Sequence, residues 1–132
     1  MFRSKVLPDH GVTGYQVDKS LDTDWLVRLY DEWARHTLAR RGQRTSIGTD
    51  STMGSTMISQ ARGPAPFKLE AWQQCHLNCQ STDLPLKVNG ETVAEMIDGD
   101  LGDLDLSGIL ALQLHSGPRK TVPFKDIRLK RL

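Results

Sequence analysis

The chain has 132 residues, 38% of them hydrophobic and 25% charged, with a net charge of +1. That length supports one domain with a core of its own, not two, and the near-zero charge argues against a general nucleic-acid binder, which carries a basic surplus. No apolar run approaches the ~20 residues of a membrane-spanning helix, and the opening MFRSKVLPDHG lacks the apolar stretch of a signal peptide.

Residues 2–6 (FRSKV) and 14–18 (GYQVD) read as short strands joined by a Pro-Asp-His-Gly turn. Strand side chains alternate between faces. Tyr15 and Val17 therefore face the core, while Gln16 and Asp18 face outward, as does Arg3 in the first strand. Residues 26–31 (LVRLYD) predict a third strand, and DEWARHTLAR carries a weak helical pattern. The stretch 41–66 is rich in Gly, Ser, Thr and Pro and shows little periodicity. It reads as a long loop, with room for one ragged hairpin. So long an irregular segment is unusual inside a compact domain.

Order resumes at Phe67. A strand over 73–80 puts Cys75, Leu77 and Cys79 on an inward face. Four strand residues span about 13 Å, against a limit of about 7 Å for a disulfide. The two cysteines therefore read as reduced thiols, and no further ligands cluster near them for zinc. Leu84, Leu86 and Val88 alternate in the next strand. Asn89-Gly90 is the strongest hairpin signal in the chain, because both residues tolerate the positive φ of a type I′ turn. The chain returns over 92–97. The acidic stretch DGDLGDLD, 98–105, is a loop without the glutamate and flanking helices of a helix–loop–helix calcium site.

The C-terminal DLSGILALQLHSGPRKTVPFKDIRLKRL predicts two strands joined by a Gly-Pro turn. In the first, Leu110, Leu112 and Leu114 share one face and pack inward. Gln113 and His115 share the other, two polar groups suited to a ligand. In the second, the apolar residues change phase between Phe124 and Ile127, which calls for a β-bulge near Lys125 and Asp126. The count is about seven short strands with no secure helix, an all-β antiparallel sandwich or jelly roll.

These pieces, in this order, resemble the 3-keto-disaccharide hydrolase domain family. The resemblance rests on FRSKV at 2–6, GYQVD at 14–18, LYDE at 29–32, the Trp72 strand, LKVNG at 86–90, and ILALQLHSG with VPFKDIRLKRL at the end. It spans most of the chain apart from 41–66. It implies a concanavalin A-like jelly roll, a single domain over 1–132, and cleavage of glycosides whose sugar carries a ketone at C3. Family members carry further strands ahead of the FRS segment, so the resemblance makes this an incomplete copy that begins inside the domain. Some members are secreted or lipid-anchored. Pro85 departs from the aliphatic residue usual at its place and removes a ladder donor.

A ketone at C3 acidifies the proton on C2. A base removes that proton, the enolate expels the C1 substituent, and water adds to the enone. The protein supplies a base, a donor for the oxyanion and an acid for the leaving group. His115 is the candidate base, since imidazole titrates near neutrality; a role as a metal ligand stays open, with a divalent metal as the cofactor in that case. Asp31 and Glu32 are the candidate carboxylates. Being adjacent in a strand they point opposite ways, so one of them faces the groove. Arg3, Gln16, Asp18, Tyr30 and Gln113 are the candidate sugar-binding residues. Two alternatives remain open: a non-catalytic carbohydrate-binding module, or an inactive fragment.

Overall fold

The computed structural model describes residues 1–19, 27–58 and 71–131. Among them nine strands form two sheets, with no helix. The first sheet is an antiparallel meander of β1 (Lys5–Val6), β2 (Val12–Asp18), β3 (Arg28–Glu32) and β4 (His36–Ala39). The second contains β5 (Gln43–Ile47), β6 (Met53–Met57), β7 (Cys75–Leu77), β8 (Asp83–Val88) and β9 (Glu91–Asp98), in the order β6-β5-β9-β8-β7. All pairs are antiparallel except β5 with β9, which run parallel. The all-β, mostly antiparallel two-sheet architecture matches the expectation from strand count and alternation.

The hairpin at Asn89-Gly90 forms as its sequence dictates, with φ of 50° and 87° at the two turn residues. It joins β8 to β9. Leu84, Leu86, Val88, Val93, Ala94 and Met96 of this hairpin are buried and meet Phe2, Tyr15, Val27, Leu29, Leu38 and Ala39 in one core, with Ile47 of β5. Pro85 stays inside β8 opposite Glu95, and its carbonyl accepts from Asn78 N at 3.2 Å.

Two local readings change, and the ragged hairpin allowed for within 41–66 takes definite form. The segment with a weak helical pattern is instead the β3–β4 hairpin. Trp33 and His36 adopt φ of 64° and 65° around the reversal, and Leu38 and Ala39 then bury into the core. Within 41–66 the part up to 58 holds the β5–β6 hairpin; 59–66 lies outside the described residues. Thr and Ser replace aliphatic residues there, which hid its period of two. Thr45 and Ser55 still form a cross-strand pair, their hydroxyls hydrogen-bonded at 2.9 Å. In β7, Leu77 packs on the core and Cys79 lies partly buried beyond the strand, but Cys75 is exposed.

The largest change is at the C-terminus. Ile109 bridges Ser4, and Ala111 exchanges two hydrogen bonds with Met1, at 2.8 and 3.0 Å. This short run lies along the outer edge of the N-terminal stretch, whose other edge meets β2 through Phe2 N and Tyr15 O. Past Ala111, residues 112–131 carry no strand pairing. Alternation alone buries nothing without a partner surface. Leu110, Leu112 and Leu114 are 54%, 55% and 60% exposed instead of facing the core, and Val122, Phe124, Ile127 and Leu129 are exposed too. Further along, Lys125 Nζ sits 4.2 Å from the centroid of the Trp72 ring, a cation–π contact.

Candidate functional site

The even-numbered residues of β2 and β3 make one polar face. In the β2–β3 ladder Gln16 pairs with Tyr30 and Asp18 with Arg28. Glu32 is then the diagonal neighbour of Gln16, within reach of a long side chain. The Gln16 amide uses that reach: Nε2 donates to Asp18 Oδ1 at 2.8 Å and to Glu32 Oε2 at 3.0 Å. Arg28 Nε lies 3.9 Å from Asp18 Oδ2, and its Nη1 donates to Thr37 Oγ1 on β4 at 2.8 Å. Tyr30 Oη and His36 Nδ1 are hydrogen-bonded at 2.9 Å, their rings tilted with centroids 5.8 Å apart. A small meander thus brings together an amide, two carboxylates, a guanidinium, a phenol and an imidazole.

Gln16 is 4% exposed, and among the described residues its Oε1 is buried without a hydrogen-bond partner. Burial raises the Asp18 pKa above the usual carboxylate range. The Arg28 charge opposes that rise, the Glu32 carboxylate adds to it, and His115 and the N-terminal ammonium oppose it. His115 therefore stands within electrostatic reach of Asp18. Its ring is exposed on the extended segment past Ala111, and Nδ1 hydrogen-bonds the Ser116 carbonyl at 2.8 Å. A carbonyl only accepts, so Nδ1 donates in this bond, and in the neutral form of the ring the lone pair lies on Nε2.

The odd-numbered residues point into the interior. Tyr15 and Asp31 lie opposite each other in the ladder, and both are buried. Arg35, from the β3–β4 turn, reaches between the sheets. Its Nε donates to Asp31 Oδ2 at 2.9 Å, and Nη1 and Nη2 donate to Asp98 Oδ1 and Oδ2 at 3.0 and 2.7 Å. Nη2 also donates to Tyr15 Oη, whose own hydroxyl donates to Asp98 Oδ2. Burial and the Asp98 carboxylate push the Tyr15 pKa far above its usual value. Burial raises Asp31 too, against the pull of Arg35. The adjacent carboxylates of the LYDE stretch are thus parted: Glu32 joins the polar face and Asp31 joins an inter-sheet ion cluster.

Of the residues expected at a site, the structure gathers Gln16, Asp18, Tyr30 and Glu32 on one face, with His115 in electrostatic reach. Asp31 lies behind that face. Arg3 reaches to the β7–β8 turn, where its guanidinium donates to the carbonyls of Ser81 and Cys79 at 2.8 and 3.0 Å. Gln113 is exposed on the unpaired segment. Sequence reading overlooked Arg28, Arg35, His36 and Thr37. The signal for His36 and Thr37 was obscured by taking β4 for helix. Arg28 sits two residues before Tyr30 and shares its face, so period two alone identifies it. Among the described residues no group of three or more His, Cys, Asp or Glu converges as a metal cage, and no helix is long and apolar enough to cross a membrane.

Comparison with known proteins adds one result. A family model described as a 3-keto-alpha-glucoside-1,2-lyase-like domain matches residues 1–130. No curated protein and no solved structure matches the chain significantly. A match over nearly the whole length, on a two-sheet all-β fold, makes the chain a member of the 3-keto-alpha-glucoside-1,2-lyase-like domain family.

Proposed function

We propose that this domain cleaves 3-keto-glycosides on the polar face of β2, β3 and β4. The family ties the chain to glycoside chemistry. The single observation that carries the reading further is the grouping of Gln16, Asp18 and Glu32 through one amide nitrogen, beside Arg28 and Tyr30. Planar amide and carboxylate groups on a shallow sheet face suit sugar hydroxyls, and a buried guanidinium suits a developing oxyanion.

In this reading His115 Nε2 takes the C2 proton. The electrons move to the C3 oxygen, where Arg28 and Tyr30 stabilise the enolate. The enolate re-forms the ketone and expels the C1 substituent, which takes up a proton passed from solvent through Glu32, a carboxylate that is ionised at rest. Water then adds to the enone, so the net reaction is hydrolysis. Gln16, Asp18 and Tyr30 hold the ring, with Gln113 contributing from the His115 segment. Asp31 is left to the interior, and Arg3 to the join between its strand and the β7–β8 turn.

A second reading, sugar binding without turnover, is favoured by the position of His115 on a segment with no strand pairing. One experiment separates the two. The protein is incubated with a 3-keto-glucoside bearing a chromogenic aglycone, and release is followed for wild type and His115→Ala. Catalysis predicts release by wild type and a loss of about 100-fold or more in the variant. Equal, background release by both with sugar still bound supports the binding module.

A further inference from the structure

The Gln16 amide has only one orientation that its neighbours permit. A primary amide offers two N–H donors on one side and an acceptor oxygen on the other. Nε2 lies within hydrogen-bond distance of two carboxylate oxygens, Asp18 Oδ1 and Glu32 Oε2. Ionised carboxylates only accept. Turning the amide over would set Oε1 against both of them, replacing two attractions with two repulsions. The nitrogen is therefore committed, and the oxygen is what remains. Among the described residues that oxygen is buried and has no partner, a condition that native structures rarely leave unrelieved.

We infer that Gln16 acts as a fixed acceptor that selects a hydroxyl of a neutral sugar, so that the end of the site between Asp18 and Glu32 rejects a carbonyl or an anionic group. This rests on the carbohydrate reading above and adds the sense of the hydrogen bond to it. A sugar hydroxyl donates and satisfies Oε1. A ketone, a carboxylate or a phosphate oxygen has no proton to offer and meets three acceptors. Charge points the same way: two carboxylates flank the amide and repel an anionic group that approaches its oxygen. A 3-keto sugar is then oriented with its ketone on the Arg28 and Tyr30 donors and a flanking hydroxyl on Gln16 Oε1. Oε1 is enclosed, so an arriving hydroxyl moves a neighbouring side chain.

The test is equilibrium binding by calorimetry, with 3-keto-1,5-anhydroglucitol as probe, a sugar with no leaving group at C1. Its 2-deoxy and 4-deoxy forms are titrated in parallel into wild type and Gln16→Met. Wild type is expected to bind one deoxy form about tenfold more weakly than the parent, and the other nearly as well. Gln16→Met is expected to bind the parent about tenfold more weakly and to lose the distinction. The wild-type series stands without the variant, so a folding defect in Gln16→Met does not decide the result. If wild type binds all three sugars alike, or the variant keeps the same ratios, the inference is overturned and the carbohydrate reading survives. If no sugar binds wild type, both fall together.

Discussion

Arg35 grips Asp98 with two parallel hydrogen bonds, at 2.7 and 3.0 Å, although the first belongs to the β3–β4 turn of one sheet and the second ends β9 in the other. The same guanidinium holds Asp31, and the three side chains are only 9%, 0% and 5% exposed. Removing one partner of a buried ion cluster strands the opposite charges, at a cost of about 3–5 kcal/mol. Arg35→Met is expected to lower the unfolding free energy by that much in a urea titration. Adding Asp31→Asn and Asp98→Asn should recover most of the loss, because no unpaired charge then remains. A single variant as stable as wild type would show that the cluster does not clamp the sheets.

The parting of Asp31 from Glu32 predicts two variants with opposite signatures. Asp31→Asn weakens the ion cluster, so it should shift the urea midpoint downward while sugar binding at the polar face holds. Glu32→Gln leaves the core alone and should keep the midpoint within the equivalent of about 0.5 kcal/mol, while turnover of a 3-keto-glucoside falls by about 10²-fold or more. Measuring both quantities on both variants checks the assignment. Finding the activity loss in Asp31→Asn and not in Glu32→Gln would reverse it.

Period two separates Gln16 and Asp18 from Tyr15 in the sequence, and the Asn89-Gly90 turn fixes its hairpin by local φ preference, but that Tyr30 joins their face follows from the β2–β3 register. What stayed hidden depends on partners rather than on pattern. Leu110, Leu112 and Leu114 alternate as well as any strand in the chain, yet a strand buries its face only where another strand and a second sheet receive it. Thr45 shows the converse: it is fully buried on β5, between β6 and β9, within a segment whose hydroxyls disguised it as loop. Arg35 was invisible because its partners lie on three different elements.

The exposed leucines give a direct contrast. Leu112→Ser and Leu114→Ser replace side chains that are 55% and 60% exposed, so each is expected to change stability by less than about 0.5 kcal/mol. Leu86→Ala, in the core hairpin and 0% exposed, should cost about 2–5 kcal/mol through lost burial and the cavity left behind. Thermal or urea unfolding of the three variants reads the difference. Losses of several kcal/mol at Leu112 and Leu114 would mean that this segment packs against the core in solution.

Asp18 gives a pH dependence of defined sign. Burial raises its folded pKa above the 3.8 it has when exposed. Between those two values the folded state binds more protons than the unfolded one, so this group's contribution to stability is full below 3.8 and fades as pH rises through the folded value. The stability of wild type relative to Asp18→Asn should therefore increase as pH falls from about 7 toward about 4. Urea titrations of both proteins across that range supply the comparison, and a difference that shrinks on acidification contradicts it.

Gly108 packs against the N-terminal edge ahead of the segment that carries His115. It adopts φ of 150°, and a Cβ there would lie 2.5 Å from Arg3 C and Ser4 O and 2.6 Å from Ser4 N. Those are backbone atoms of the stretch that Ile109 and Ala111 pair with, so nothing can rotate aside to make room. Gly108→Ala is expected to push the 109–111 run off the N-terminal edge, with a stability loss of about 1–3 kcal/mol from strain and lost pairing. It should also free His115 from its place near Asp18, so that aglycone release falls although no residue of the polar face has changed. Amide exchange at Ser4, Ile109 and Ala111, read beside turnover, distinguishes the two effects. Protection that persists in Gly108→Ala would mean that the edge tolerates the added methyl and that Gly108 does not position the histidine.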